Sequence, residues 1–393
     1  MDFRRLKGVR LKGKTAIVRV DFNVPRNKDG SISDDTRLQA ALPTIKHLQK
    51  AGAKTILLSH FGRPKGKPNE KESLRFIVPA LVEALGTEVL FSPTLNANTA
   101  QLLEAGDVML MENTRFHKGE TEGDKDLAQE MADLGDLFIQ DAFSAAHRNH
   151  ASSAVIGELL PAYAGLAMER ELDHISQALI NPKAPVMGVV GGAKVSTKID
   201  LLKNLVEKLD ILAIGGGMAN TFLYAQGHNV GASLCETDFK ETALQIMKNA
   251  KKENCKIILP TDVVTAKDFK ANADHRQCGL DDVKTKEMIL DCGTESVEEL
   301  MNAMDTAKTL IWNGPLGAFE LTPFDTSTVE AAKYAAKLTK KGALVSVAGG
   351  GDTVSALKHA GAADDFTFIS TAGGAFLEWM EGKPLPGVEI LKK

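Results

Sequence analysis

The sequence predicts an α/β fold of two domains with parallel sheets, on three observations. Short apolar runs alternate with helical patterns along almost the whole chain. The 393 residues suffice for about two domains at roughly 100–200 residues each. A helical pattern over 161–180 is closed by Pro182 and Pro185, and the side chains at the strand ends change character across it.

In the first half the β-rich runs are 15–22, 54–60, 107–113 and 136–142. In the second half they are 185–190, 210–214, 256–259, 309–312, 343–348 and 366–370. Near-continuous apolar runs suit strands covered on both faces. Between the first two, Leu38, Leu42, Ile45 and Leu48 recur at helical spacing after a capping aspartate, so 34–50 is expected as an amphipathic helix. The stretch 161–180 is expected as one long helix leading from the first domain into the second.

Composition excludes several classes. Forty-seven basic and 51 acidic residues give a net charge of −4, which does not suggest a nucleic-acid or polybasic membrane binder. The charge is uneven: residues 1–75 hold 18 Lys+Arg against 7 Asp+Glu. From charge alone this basic segment fits either surface solvation or an anionic partner. Cys235, Cys255, Cys278 and Cys292 are spaced by 20, 23 and 14 residues, without a CxxC or zinc pattern, and fit reduced thiols of a cytoplasmic protein. Residues 1–10 contain no secretory apolar region, and no apolar run approaches the ~18 residues of a membrane span.

In open α/β sheets ligands bind beyond the carboxyl ends of the strands. In the first half those ends carry Asp21 and Asn23, His60 and Arg63, Asn113 and Arg115, and, after Asp141, His147 and Arg148. In the second half they carry glycine: Gly191-Gly192, Gly215-Gly216-Gly217, Gly314 with Gly317, Gly349-Gly350-Gly351 and Gly373-Gly374. Glycine lets backbone N–H groups approach a ligand, and helix N-termini behind such loops attract phosphates. One half is therefore expected to grip a small anion with side chains, the other to cradle a nucleotide with backbone.

Individual motifs sharpen this. The string Gly8-Val-Arg-Leu-Lys-Gly-Lys-Thr15 matches GxxxxGK[ST], but it precedes a β-rich run where a P-loop would open a helix, so it is expected to be a decoy. The Asp21-Phe22-Asn23 and His147-Arg148-Asn149 strings stand in the wrong order for protein-kinase signatures. His150 reads as structural. Arg37, at a helix start, runs against the macrodipole; it fits either a pairing with Asp34 and Asp35 or an anionic ligand. Lys194 and Lys198 are expected four apart on one face of an opening helical turn, which asks for a negative group between them. Asp352-Thr353 after a glycine triplet fits a helix cap and equally a Mg²⁺ ligand beside phosphates.

With these residues in hand, the chain resembles the phosphoglycerate kinase family, of bacterial length. The resemblance lies in VRVDFNVP (18–25), SHFGRP (59–64), ENTRF (112–116), DAFSAAHRNHAS (141–152), VGGAKVSTKI (190–199), IGGGMANTF (214–222), WNGPLGAFE (312–320), AGGGDT (348–353) and STAGGA (370–375). Phe61, Ser144-Ala145 and Ala372 depart from the residues most common in the family.

The resemblance implies two Rossmann-like domains separated by a cleft: 1–170 for phosphoglycerate, 171–370 for nucleotide, and 371–393 returning to the first. It implies that Asp21, Asn23, Arg37, His60, Arg63, Arg115 and Arg148 bind 3-phosphoglycerate or 1,3-bisphosphoglycerate. Lys198, Gly215, Gly216, Asn313, Glu320, Gly350, Gly351, Asp352 and Thr353 would bind ADP or ATP. Gly215 and Gly216 would flank the adenine, Glu320 would lie near the ribose, and Asp352 would hold Mg²⁺. Arg37, Lys194, Lys198, Gly350 and Gly373 would stabilise the moving phosphoryl group after hinge closure. The family implies a monomeric, cytoplasmic glycolytic enzyme without nucleic-acid or membrane partners.

Two rival readings stand beside it. A dinucleotide dehydrogenase needs GxGxxG, which Gly215-Gly216-Gly217-Met218-Ala219-Asn220 does not complete. A nucleotide-gated anion-binding protein without catalysis would not need Lys194 and Lys198 paired toward a basic half-site.

Overall fold

The computed structural model describes residues 2–370 and 372–393. Two compact units emerge, Met1–Asp173 with Pro384–Lys393, and His174–Lys383. Thr371, the expected start of the returning segment, lies outside the described residues.

The first unit carries β1 (Thr15–Arg19), β2 (Lys54–Leu58), β3 (Val89–Ser92), β4 (Val108–Met111), β5 (Leu137–Gln140) and β6 (Ala162–Ala164). They form one parallel sheet in the order β3-β4-β2-β1-β5-β6. The helix Thr36–Lys50 follows β1, and Leu38, Leu42, Ile45 and Leu48 are all buried, as their spacing predicts. Its cap differs in detail: Asp35 stands at the N-cap without a side-chain bond to the helix N–H groups, while Asp34 accepts the Thr36 N–H at 2.8 Å. The closing segment pairs back: Arg4 N–H donates to Leu391 O and Gly387 N–H to Ala146 O, both at 2.8 Å. Of the expected returning segment, only Pro384–Lys393 packs with this unit.

The long helix expected over 161–180 is two elements. Ala162–Ala164 is the edge strand β6, and the helix is Leu166–Leu179. The reason sits at Gly165, where a Cβ would lie 2.1 Å from Asp141 Oδ1. Asp141 Oδ1 instead accepts the Ala167 N–H at 2.9 Å and so starts the helix there.

The second unit holds β7 (Val186–Val190), β8 (Ile211–Ile214), β9 (Lys256–Ile258), β10 (Asp262–Ala266), β11 (His275–Gly279), β12 (Met288–Cys292), β13 (Thr309–Asn313), β14 (Val345–Gly349) and β15 (Phe368–Ser370). Six form a parallel sheet ordered β15-β14-β13-β7-β8-β9. A small antiparallel sheet, β11-β10-β12, was not expected from the sequence. The helix Gly374–Met380 stays with this unit, its Phe376 ring lying where a Cβ on Gly349 would be, 2.3 Å away.

Both parallel sheets reverse strand order beside their first strand, between β1 and β5 and between β7 and β13. Those reversals are where an open sheet leaves a crevice. All four cysteines are free thiols. Among the described residues no helix is long and apolar enough to cross a membrane.

Candidate active site

In the first unit the expected side chains leave the carboxyl ends of β1, β2, β4 and β5. Asp21 and Asn23 follow β1, and His60 and Arg63 follow β2. Arg115 sits in the turn Thr114–Phe116 after β4, and Arg148 stands beyond β5. Arg37 reaches in from the first turn of Thr36–Lys50: its guanidinium pairs with Asp21 Oδ2 at 3.0 Å and donates to Asn23 O at 2.9 Å. Asn23 Oδ1 accepts the Gly62 N–H at 3.0 Å. Arg115 donates to Gly62 O at 2.6 Å, and Arg148 Nε donates to His147 Nε2 at 3.1 Å. Arg63 is exposed, its backbone N–H donating to Glu72 at 2.7 Å.

Charge accumulates here faster than it is paired. Burial, then Arg148 and Arg19, lower Arg115 to about 10. Burial, then Arg19 and the other arginines, push His60 well below the usual imidazole range, so it is neutral. Arg19 donates to His60 Nδ1 at 2.9 Å. Arginine has no acceptor, so that nitrogen is bare and the proton sits on Nε2, which is left as a donor. His150 is lowered to about 4, by burial and then Arg115; its Nδ1 is 3.9 Å from the buried Glu120 carboxylate.

In the second unit Lys198 bridges the strand reversal. Its ammonium donates to Gly191 O at 2.6 Å, beyond β7, and to Asn313 Oδ1 at 2.6 Å, at the end of β13. Asn313 Nδ2 in turn donates to Gly349 O at 2.7 Å, tying in β14. Thr353 Oγ1 accepts the Gly314 N–H at 2.7 Å. Burial lowers Lys198 to about 8, against the opposing pull of Asp352. Gly350 precedes the helix Gly351–His359 with φ +100°, a conformation that disfavours any side chain, and a Cβ there would lie 2.7 Å from Asn313 Nδ2. Asp352 is exposed in that helix's first turn.

A cavity of about 290 Å³ opens beside this arrangement. Gly192, Gly216, Gly217, Glu320 and Asp352 line it, with Leu234, Met288, Leu290 and Leu316 as apolar wall.

A model of the phosphoglycerate kinase family matches residues 6–383. The chain belongs to the phosphoglycerate kinase family. A phosphoglycerate kinase of Maricaulis maris is 58% identical over 391 residues, covering 98% of this chain and 97% of the relative. One of Caulobacter sp. is 57% identical over 396 residues, covering both chains fully. Among solved structures, phosphoglycerate kinase from Coxiella burnetii superposes with a TM-score of 0.94 at 40% identity, over 99% of this chain and 98% of that one. That from Pyrococcus horikoshii gives 0.79 at 28% identity, with the same coverage, 99% and 98%. These relatives give no support to a dehydrogenase or a non-catalytic anion binder.

Four expectations about this chain need correction. Lys194 and Lys198 do not share a helical face: Val195–Thr197 is a tight 3₁₀ turn, Lys194 is extended and exposed, and only Lys198 is drawn into the glycine loops. Their mutual repulsion is therefore no sign of a ligand. Gly215 does not line the cavity; it packs against Leu316, where a Cβ would come within 2.9 Å of the Leu316 Cα. Gly191 and Gly314 serve backbone crossing: a Cβ on Gly191 would sit 1.8 Å from Pro315 O, and one on Gly314 2.2 Å from Gly191 O. Gly373 opens the short helix Gly374–Met380 and is half-buried, outside the cavity lining.

Sequence reasoning missed Arg19, Glu120 and Ser152. Arg19 is fully buried in β1 and donates to Ser152 Oγ at 3.0 Å. Ser152 donates to Glu120 Oε1 at 2.6 Å, so a buried carboxylate partly balances the arginines. An arginine inside the apolar run TAIVRVDF was the available signal.

Proposed function

We propose that the chain transfers a phosphoryl group reversibly from 1,3-bisphosphoglycerate to ADP, giving 3-phosphoglycerate and ATP in glycolysis and gluconeogenesis. The observation that carries the proposal is the gathering of Arg19, Arg37, Arg115 and Arg148 beside His60, where burial, then Arg148 and Arg19, lower Arg115 to about 10. A crowd of cations that depresses its own members gains most from a bound polyanion. Asp21, Asn23, Arg37, His60, Arg63, Arg115 and Arg148 bind phosphoglycerate in this reading. Lys198, Gly216, Asn313, Glu320, Gly350, Gly351, Asp352 and Thr353 hold the nucleotide, with Gly215 supporting Gly216 from behind.

The moving group passes between a carboxylate oxygen and the β-phosphate of ADP. Neither carries a proton that must be removed at neutral pH, so no general base is needed. Positioning and charge neutralisation suffice. Arg37 and Lys198 neutralise the group from opposite sides, in line, once the units close; Lys194 orients the nucleotide, and N–H groups at Gly350 and Gly373 assist. Closure also excludes water, which would otherwise hydrolyse the acyl phosphate.

Asp352 is the residue that would hold Mg²⁺. Among the described residues no group of three or more His, Cys, Asp or Glu could hold a metal. One exposed carboxylate lining the cavity suits Mg²⁺, which keeps phosphate oxygens and waters as its other ligands. When bound it supplies neutralisation of the phosphate charge. Four free thiols fit a reducing compartment, and the proposal extends to a monomeric cytoplasmic enzyme. A coupled assay with ADP and 1,3-bisphosphoglycerate tests the activity, and a folded chain without turnover overturns it. Sedimentation tests the monomer.

A further inference from the structure

Glu120 is fully buried and joins the turn Thr114–Phe116 to the π-helical turn Ala151–Val155. Its Oε2 accepts the Ser152 N–H at 3.0 Å. Its Oε1 accepts the Ser152 hydroxyl at 2.6 Å and the Thr114 hydroxyl, next to Arg115, at 3.2 Å. Arg19 Nε donates to the same Ser152 hydroxyl at 3.0 Å. The carboxylate and the buried guanidinium are thus joined through one hydroxyl.

Neither charge is met by an opposite charge through these hydrogen bonds. Arg19 donates to neutral acceptors, Ser152 Oγ, Val20 O and His60 Nδ1. Glu120 accepts from neutral donors, and His150, 3.9 Å away, is lowered to about 4 and so is uncharged at pH 7. A direct ion pair would quench the guanidinium field, whereas the intervening hydroxyl leaves part of it. The Glu120 charge nevertheless reaches across, since it opposes the lowering of both Arg19 and Arg115. Hydrogen bonding does not require that charge. A glutamine here would keep the Ser152 N–H on its oxygen and turn its NH₂ to the two hydroxyls, which also accept. What the carboxylate adds is its field.

We propose that Glu120 sets how tightly the first unit holds phosphoglycerate: acting through Arg19 and Arg115, its charge holds back the positive field offered to the anion, so that the gathered arginines also release it. The inference rests on the phosphoglycerate reading of that site. Glu120 touches no substrate in it and is a positioning residue. Tighter holding of substrate and transition state alike would not speed turnover, which gives a reason to restrain the field.

Glu120→Gln in the full chain is the test, with 3-phosphoglycerate as the probe. Titration calorimetry should show binding about threefold to tenfold tighter than in the unmodified chain, as for one unit charge removed near a partly screened site. Binding should also weaken more steeply with added salt. The 3-phosphoglycerate KM should fall likewise, while the ATP KM stays within about twofold. Glu120→Asp, which keeps the charge, should stay near the unmodified affinity. A merely structural carboxylate predicts the opposite sign, so equal or weaker binding by folded Glu120→Gln overturns the proposal. The variant's melting temperature should fall, and saturating 3-phosphoglycerate should raise it by more than it raises that of the unmodified chain. A variant that stays unfolded even with that ligand also overturns the proposal, because the bound anion should then stand in for the missing charge. If the unmodified chain does not bind 3-phosphoglycerate, the reading of the site fails first, and this inference with it.

Discussion

The two units gather opposite kinds of group beyond their strand ends. In the first, long cationic side chains converge from four strands and the helix Thr36–Lys50, and they crowd until burial and mutual repulsion lower Arg115 to about 10 and push His60 out of its titration range. In the second, glycine loops let backbones cross and a single ammonium, Lys198, is held by Gly191 O and Asn313 Oδ1. A side-chain grip concentrates charge and should respond steeply to salt. A backbone cradle contributes fixed dipoles, and its one lysine becomes the point where pH acts.

The largest expected effect tests the first grip. Arg37→Ala should lower kcat by about 10²–10³, with both KM values within a few-fold, because a charge aimed at the transferring group acts mainly in the transition state. A change confined to the phosphoglycerate KM would make Arg37 a binding residue only. The neighbouring Asp21, 3.0 Å away, loses its ion-pair partner in that variant and keeps only the Ser144 hydroxyl and the Asn23 N–H, so the melting temperature should be followed alongside.

The next effect compares two groups within the cradle. Asp352→Ala should lose about tenfold to a hundredfold in kcat/KM at limiting Mg²⁺, and excess Mg²⁺ should restore part of it, since few protein oxygens hold that ion. Lys198→Ala should not be rescued, because a mobile ion cannot occupy a position fixed by two loops. A Mg²⁺ titration at constant ionic strength separates them, and the opposite pattern would show that the two roles are exchanged.

The sheets were legible because both faces of the central strands are covered, which leaves continuous apolar runs. Of the strands that escaped, β11 reads HRQCG and alternates between exposed and half-buried residues, and β6 is three residues long, whereas β3 (VLFS), β10 (DVVTA) and β12 (MILDC) are short apolar runs that were passed over. Arg63, Arg115 and Arg148 stood out because they follow strand ends. Arg19 did not, since its partners His60 and Ser152 are 41 and 133 residues away, and its place inside an apolar run marks it as buried without saying what it meets. The glycine loops were located correctly but overread. Gly191 and Gly314 are required by each other's backbone, a contact that needs β7 and β13 side by side and so has no trace in local sequence.

Lys198 gives the cradle its pH response. Its pKa is lowered to about 8 by burial, so the ammonium predominates below that pH in the free protein and is lost above it. The kcat/KM for ADP should fall about tenfold per pH unit beyond the break, because that ratio reports the free enzyme. Bound phosphate restores the proton, so kcat should hold to higher pH. Lys198→Arg should remove the break, whatever it does to the rate. A break that survives this substitution belongs to another group.

The smallest effect guards the division of labour itself. Gly8–Thr15 spells a phosphate loop, and if it bound nucleotide the contrast between the units would collapse. The structure sets Thr15 at the start of β1, not at a helix N-terminus, so no row of free N–H groups is presented there. Lys14 is half-exposed and pairs with Asp136 at 3.0 Å. Lys14→Ala should therefore leave the ATP KM within a few-fold and cost under about 1 kcal/mol of stability, as exposed ion pairs do. Asp136 keeps its other contact, the Thr15 N–H at 2.8 Å, so the strand start should survive. Steady-state kinetics with a melting curve checks both. Loss of nucleotide binding in a folded Lys14→Ala chain would move the nucleotide into the first unit and dissolve the comparison.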